Sequence, residues 1–291
     1  MKMIFIFIDG FGMGNKNPEV NPIIAAKTPG LDYIFSNFEV IPTDACLGIP
    51  GLPQSATGQT TIFTGINASK VLNRHLNGQP TITLKQLIYE NNLFKELSRR
   101  GLKFTNANVY RDEYLQKMMD ETDRLHRPSV TSVMSMSAGL SFRTIEDFKA
   151  GNGVYHDITG QILIDSGYDV RLNTPQEAAQ KLYAISRGFD FTLYEHFMTD
   201  IIGHKMDMDL AVGEIQLLDS FLGELIKLID LEEDVVFITS DHGNIEDISV
   251  KTHTFNKVPT IIIGKQGERV RLEIESLTDI MPSVLKIFGT L

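Results

Sequence analysis

Three aspartates and three histidines are of types that could bind metal: Asp9, Asp200 and Asp241 with His204, His242 and His253. Each sits at the end of a short apolar run or just before one. Asp9 closes MKMIFIFIDG, Asp200 and His204 follow FTLYEHFM, Asp241 and His242 follow VVFITS, and His253 precedes VPTIIIG. Asp200 and His204 are four residues apart, so on a helix they share a face and can grip one ion. Carboxylate oxygen and imidazole nitrogen are the donors that zinc or manganese takes. Singly, these residues say little, because an aspartate after a strand is most often a turn former or helix cap. Together, six such groups suffice for two closely spaced divalent ions.

A nucleophile candidate accompanies them. Pro53-Gln54-Ser55-Ala56-Thr57-Gly58-Gln59 reads as a turn entering a helix. A serine at a helix N-terminus sits at the positive end of the macrodipole, which favours an anionic oxygen. A neighbouring cation would lower its hydroxyl pKa further. By itself, Ser55 reads better as a plain N-cap, and only the aspartate and histidine set favours the nucleophile.

These residues need a scaffold that gathers strand ends. Continuous apolar runs at Lys2–Ile8, Lys103–Val109, Asp190–Tyr194, Asp234–Thr239 and Val258–Gly264 suit strands buried on both faces of a parallel sheet. Between them, Leu84–Arg100 reads as one amphipathic helix closed by Gly101. Thr174-Pro175-Gln176-Glu177 is a capping box with proline at the first helical position, and Asp207 to Ile229 repeats leucine and isoleucine at helical spacing. The alternation predicts an α/β fold with a doubly wound, mainly parallel sheet. Residues 110–173 break the rhythm, being polar and irregular, and are expected to form a small cap inserted between core segments 1–109 and 174–291. Ligands of open parallel sheets bind at the carboxyl ends of the strands, where the aspartates and histidines accumulate.

On these motifs the chain resembles the alkaline phosphatase superfamily, in particular the branch of cofactor-independent phosphoglycerate mutase and phosphopentomutase. Asp9 in IDGFG resembles the family's first-strand metal aspartate, and Ser55 in QSATGQ stands where that branch has its phosphorylated serine or threonine. TDIIGH resembles the D-x-x-G-H ligands, TSDHGN the D-H-G-N segment, and HTFNKVP the H-T-x-x-x-V-P ending. The resemblance implies two divalent metal ions, Mn2+ or Zn2+. Asp9, Ser55, Asp241 and His242 would hold one, and Asp200, His204 and His253 the other. It also implies a phosphoserine intermediate at Ser55.

Two departures bear on the reaction. The mutases carry histidine four residues after the nucleophile, where this chain has Gln59, and the stretch between Ser55 and Asp200 is short for a large-capped phosphoglycerate mutase. A mutase must keep its phosphoenzyme from water while the substrate reorients. The expectation is therefore a two-metal phosphohydrolase or phosphoryl transferase acting on a phosphate ester. The alternatives are a phosphomutase of a sugar phosphate or phosphoglycerate, and a catalytically silent metal-binding protein. Lys70, Arg74 and His75, after the nucleophile helix, and Arg143, in the cap, are the candidates for substrate binding. The loop Gly10-Phe11-Gly12-Met13-Gly14 lacks the last glycine of a dinucleotide-binding fingerprint.

Composition limits the partners. The 291 residues carry 27 Lys and Arg against 37 Asp and Glu, a formal net charge of −10, which argues against a nucleic-acid partner. Apolar residues at 42% and charged residues at 22% are ordinary for a globular chain. The single cysteine, Cys46, excludes an internal disulfide and a thiolate-rich metal site. No apolar run is long enough to span a membrane. The reading is a cytoplasmic enzyme whose partner is a small phosphorylated substrate.

Overall fold

The computed structural model describes residues 1–120, 123 and 125–289. Its centre is a six-stranded sheet built from β1 (Lys2–Ile8), β2 (Val40–Thr43), β3 (Phe104–Asn106), β4 (Phe191–His196), β5 (Asp234–Thr239) and β6 (Val258–Ile263). The strand order is β2-β6-β5-β1-β4-β3. β1 pairs in parallel with both β4 and β5, and β3 extends the parallel block on β4. β6 runs antiparallel to β5, and β2 antiparallel to β6. The doubly wound, mainly parallel sheet is thus present, with an antiparallel edge.

Alternation along β1 divides the interior into two cores, because successive strand side chains point to opposite faces. Met3, Phe5 and Phe7 join Phe63, Phe94, Phe191 and Phe237 on one face. Phe5 is the hub of that face, with ring centroids 5.0 Å from Phe237 and 5.8 Å from both Phe63 and Phe191. Ile4, Ile6 and Ile8 pack on the other face against Tyr194, Leu218, Phe221 and Leu222. The first face is covered by the helices Ser55–Thr64, Leu93–Arg99, Val130–Ser137 and Ile280–Ile287, and the second by Pro175–Ser186 and Met208–Leu228. Thr174 and Glu177 form the expected capping box, and Asp207 caps the long helix by accepting from the Leu210 amide.

Three details differ from the sequence reading. The 84–100 stretch is two helices, Ile82–Glu90 and Leu93–Arg99. Asn92 causes the break: its Oδ1 accepts from the Lys95 amide to cap the second helix, while its Nδ2 donates to the Ile88 carbonyl of the first. The strand at 103–109 pairs with β4 only through Phe104–Asn106; beyond it, the Asn108 side chain bonds both backbone groups of Glu195, at 2.7 and 2.8 Å, and Asn108 and Val109 form single bridges to Val154 and Arg143. β2 has no counterpart among the expected strands, because its four residues VIPT are too short and too mixed to stand out.

Residues within 110–173 are divided among the cores. Val130, Val133 and Met134 belong to the phenylalanine face and Val154 and Ile158 to the isoleucine face. Ile145, Phe148, Tyr155 and Leu163 gather with Val109 in a small core of their own. Among the described residues, no helix is long and apolar enough to cross a membrane.

Candidate metal centre and the cavity above it

Asp9 leaves the carboxyl end of β1 and immediately meets a glycine. Gly10 has φ +69°, and a Cβ there would lie 2.9 Å from both Cβ and Oδ1 of Asp200, so side-chain-free backbone is required for the two aspartates to approach. Asp241 and His242 follow β5, and Ser240 Oγ holds the turn after β1 by accepting from the Phe11 amide at 2.9 Å. Ser55 opens the Ser55–Thr64 helix, which is buried along its whole length. Asp200 lies in the short helix Met198–Gly203, with His204 at its C-cap. His253 sits just before β6.

The structure brings all seven sequence-predicted residues together. Asp200, His204 and His253 place donor atoms within 4.8 Å of one another, and so do Asp9, Asp200 and His242, with Asp200 common to both sets. His242 Nε2 is 3.0 Å from Ser55 Oγ, 3.2 Å from Asp9 Oδ1 and 3.6 Å from Asp241 Oδ2. Gln59 Nε2 donates to Asp9 Oδ2 at 3.1 Å and to Asp241 Oδ2 at 3.2 Å, bridging the two carboxylates from the helix that Ser55 opens.

The histidine tautomers follow from their partners. His204 Nδ1 lies 2.7 Å from the Lys251 carbonyl and His253 Nδ1 lies 2.8 Å from the Pro53 carbonyl. A carbonyl only accepts, so Nδ1 carries the proton in each ring and the lone pair of the neutral ring is on Nε2. Those two Nε2 atoms face each other at 3.2 Å and each stands 3.4 Å from an Asp200 oxygen. Lone pairs so close repel one another unless a cation lies between them, and an outer Nδ1–H bond is how metal-bound imidazoles are oriented.

The electrostatics of the other half agree. Burial, reinforced by the charge of Asp241, pushes the Asp9 carboxyl well above its ordinary value, and burial raises Asp241 as well. Burial disfavours a charge on His242, yet Asp241, Asp9 and Asp200 together carry it up to about 10. Asp9 Oδ1 is buried without a hydrogen bond. Three crowded carboxylates favour a proton on His242, and a divalent cation would relieve the same imbalance. The residues therefore fit a two-cation centre.

Beside this cluster lies a cavity of about 520 Å³ whose lining includes Asp9, Ser55, Gln59 and Asp200. Its farther wall comprises Tyr110, Arg111, Tyr114, Tyr155, His156, Ile162, Phe197 and Ile201. Lys70, Arg74, His75 and Arg143 do not line it. Lys70 and Arg74 are exposed, and His75 is held by Ser69 Oγ and the Ile49 carbonyl, each at 3.1 Å. Arg143 donates to the Asn152 and Asn106 carbonyls and to Thr105 Oγ1, clamping the end of β3. The arginine that does line the cavity is Arg111, which sequence reading passed over because its position depends on the fold of 110–173.

Glu195 was also passed over, though its place at the end of β4, five residues before Asp200, is a usable signal. It lines the cavity, accepts from Thr131 Oγ1 at 2.6 Å, and is raised by burial to about 7. Its neighbour His196 points to the opposite face, as strand alternation requires. There its Nε2 meets Glu214 Oε1 at 2.9 Å, within the protein and away from the centre. Glu246 is a third omission. It is fully buried and accepts from the backbone amides of Gly12, at 3.0 Å, and Asn244, at 2.7 Å, and from the side chains of Thr254 and Asn256.

Residues 1–291 match the model of the Metalloenzyme superfamily. The chain belongs to that superfamily. Among curated proteins it is 30% identical over 157 residues to the 2,3-bisphosphoglycerate-independent phosphoglycerate mutase of Francisella tularensis, covering 49% of this chain and 30% of that one. The superfamily member described here thus aligns with about a third or less of the length of the curated mutases it matches. Among solved structures, a Pyrococcus horikoshii protein superposes with TM-score 0.62 at 17% identity, over 99% of this chain and 96% of that one. The alkaline phosphatase of the Antarctic bacterium TAB5 superposes with TM-score 0.54 at 13% identity, over 98% and 97%. The fold of this superfamily member is accordingly alkaline phosphatase-like.

Proposed function

We propose that this protein is a two-metal phosphohydrolase or phosphoryl transferase that acts on a phosphate ester through Ser55. The observation that carries the reading is the position of Ser55 Oγ: it lies at a buried helix N-terminus, 3.0 Å from His242 Nε2, on the floor of the cavity with Asp9 and Asp200. Asp9, Ser55, Asp241 and His242 would hold one divalent cation and Asp200, His204 and His253 the other, with Asp200 near enough to serve both. Oxygen and nitrogen donors suit Mn2+ or Zn2+, and such ions would stabilise the attacking and leaving oxygens of an in-line displacement. Ser55 Oγ gives up its proton to solvent and attacks phosphorus as the bond to the leaving oxygen breaks, and the departing alkoxide takes up a proton from solvent to leave as the alcohol. The resulting phosphoserine is resolved by attack of water or a second alcohol on the same phosphorus. Helix-terminal amides at Ser55 face the developing negative charge. Gln59 holds Asp9 and Asp241 at fixed spacing throughout.

Segments within 110–173 act as the cap in this reading, since Tyr110, Arg111, Tyr114, Tyr155, His156 and Ile162 supply the outer wall. The likeness to phosphoglycerate mutases favours a second reading, transfer within one substrate without release of phosphate. Both require Ser55→Ala to abolish turnover while metal content, measured by elemental analysis after loading with manganese or zinc, stays near wild type. Phosphate release and substrate isomerisation, assayed in parallel, separate the two. Full turnover in Ser55→Ala, or no bound metal after loading, would refute the proposal. Bound metal with no phosphoenzyme from any ester would identify a catalytically silent metal-binding protein.

A further inference from the structure

The cavity is much larger than a phosphate group, and its lining includes five rings, those of Tyr110, Tyr114, Tyr155, His156 and Phe197. His156 stacks on Phe197 with centroids 4.0 Å apart and planes 21° apart, and Tyr155 lies against His156 at 4.1 Å. Tyr110 and Tyr114 are near-parallel, 18° apart, with centroids at 6.3 Å. The hydroxyls of the two near-parallel tyrosines are already engaged by the protein. Tyr110 Oη meets Ser132 Oγ and Tyr114 Oη donates to the Arg127 carbonyl, both at 3.3 Å. His156 is half-buried between Tyr155 and Phe197, and desolvation lowers its pKa to about 3, so its ring is neutral and behaves as an aromatic group. These rings give one part of the cavity an aromatic lining, and Arg111, whose guanidinium also reaches Ser166 Oγ at 3.5 Å, lines it as well.

We propose that the preferred substrate is a phosphate ester whose leaving group carries a flat ring, which lies on the aromatic wall while Arg111 meets an acceptor on its edge. This rests on the reading that the cavity floor is a phosphoryl-transfer centre. A cavity of about 520 Å³ is within the range that encloses drug-sized ligands. A three-carbon phosphate would leave most of it empty. Ring-on-ring contacts are tolerant of the particular ring, so nucleoside 5′-phosphates and aryl-substituted alkyl phosphates share the required chemistry.

The test compares matched esters that differ only in the ring: adenosine 5′-monophosphate against ribose 5-phosphate, and benzyl phosphate against propyl phosphate. The expected result is a preference of about tenfold or more in kcat/KM for the ring-bearing member of at least one pair. Preference in both pairs indicates any flat ring, and in the first alone indicates a nucleoside. Phe197→Leu and Tyr114→Ala should each shrink that ratio, whereas damage to the fold would lower both members alike and leave the ratio unchanged. Equilibrium dialysis of adenosine 5′-monophosphate and ribose 5-phosphate against metal-loaded Ser55→Ala gives a reading that needs no turnover. Tighter binding of the nucleotide there supports the inference even if the wild type releases no phosphate, an outcome that would defeat only the catalytic reading. Equal binding and equal kcat/KM within both pairs would overturn it.

Discussion

Glu246→Ala gives the most direct test of how the centre is held. Glu246 joins three segments that each carry a proposed ligand: the turn after Asp9 through the Gly12 amide, the turn after His242 through the Asn244 amide, and the segment after His253 through Thr254 and Asn256. The fit is close, since a Cβ on Gly12 or Gly243 would lie 2.3 or 2.2 Å from Glu246 Oε1. Alanine leaves two buried backbone N–H groups without an acceptor, at about 1–3 kcal/mol each, and also removes the charge-assisted bonds from two side chains. The expected loss is about 3–5 kcal/mol, or roughly 6–10 °C in Tm for a chain of this length. Metal affinity should fall about 10- to 100-fold, as it does when groups that orient ligands are removed. Glu246→Gln should cost only about 1–2 kcal/mol, because its remaining oxygen can serve both amides while Thr254 and Asn256 turn to accept from the new NH2. Thermal denaturation with and without manganese or zinc, together with metal titration, measures both effects. Wild-type stability and metal affinity in Glu246→Ala would refute the argument.

Glu195 gives a pH signature in the metal-free protein. Burial raises its pKa from 4.5 to about 7, so the folded state retains a proton that the unfolded chain has released. Its contribution is therefore fully present below about pH 4.5 and is lost as pH rises through 7, amounting to at most about 3 kcal/mol. Denaturant melts of Glu195→Gln in the presence of chelator should show a flatter fall in stability between pH 5 and 8 than wild type, and identical slopes would contradict the assignment. Gly58→Ala places two opposing effects in one helix. Alanine improves helix propensity by about 1 kcal/mol, but its Cβ would lie 2.9 Å from both Cβ and the carbonyl oxygen of Asp241. Overpacking of that kind costs about 1–3 kcal/mol, so the variant should be net destabilised and bind metal more weakly, as denaturation and metal titration would report.

The sequence by itself determined the alternation of strands and helices, the capping of the helix that begins at Pro175, and the gathering of aspartate and histidine at strand ends. These are short-range properties. A continuous apolar run, a capping box and a carboxylate just past a strand are each legible within about ten residues, and an open parallel sheet turns strand ends into one edge. Only the tertiary structure decided the rest. β2 pairs with β6 across more than 200 residues of chain, and its four residues carry no signal of their own. The 84–100 stretch keeps its helical periodicity through Asn91, yet Asn92 breaks it by capping. The protons of His204 and His253 are fixed by the carbonyls of Lys251 and Pro53, contacts 47 and 200 residues apart in sequence. Charge and position in the sequence made Lys70, Arg74, His75 and Arg143 candidates for substrate binding, but the arginine that lines the cavity is Arg111. Which cation reaches a cavity depends on how an irregular segment folds back on the sheet, and that is set by long-range packing that no local pattern records.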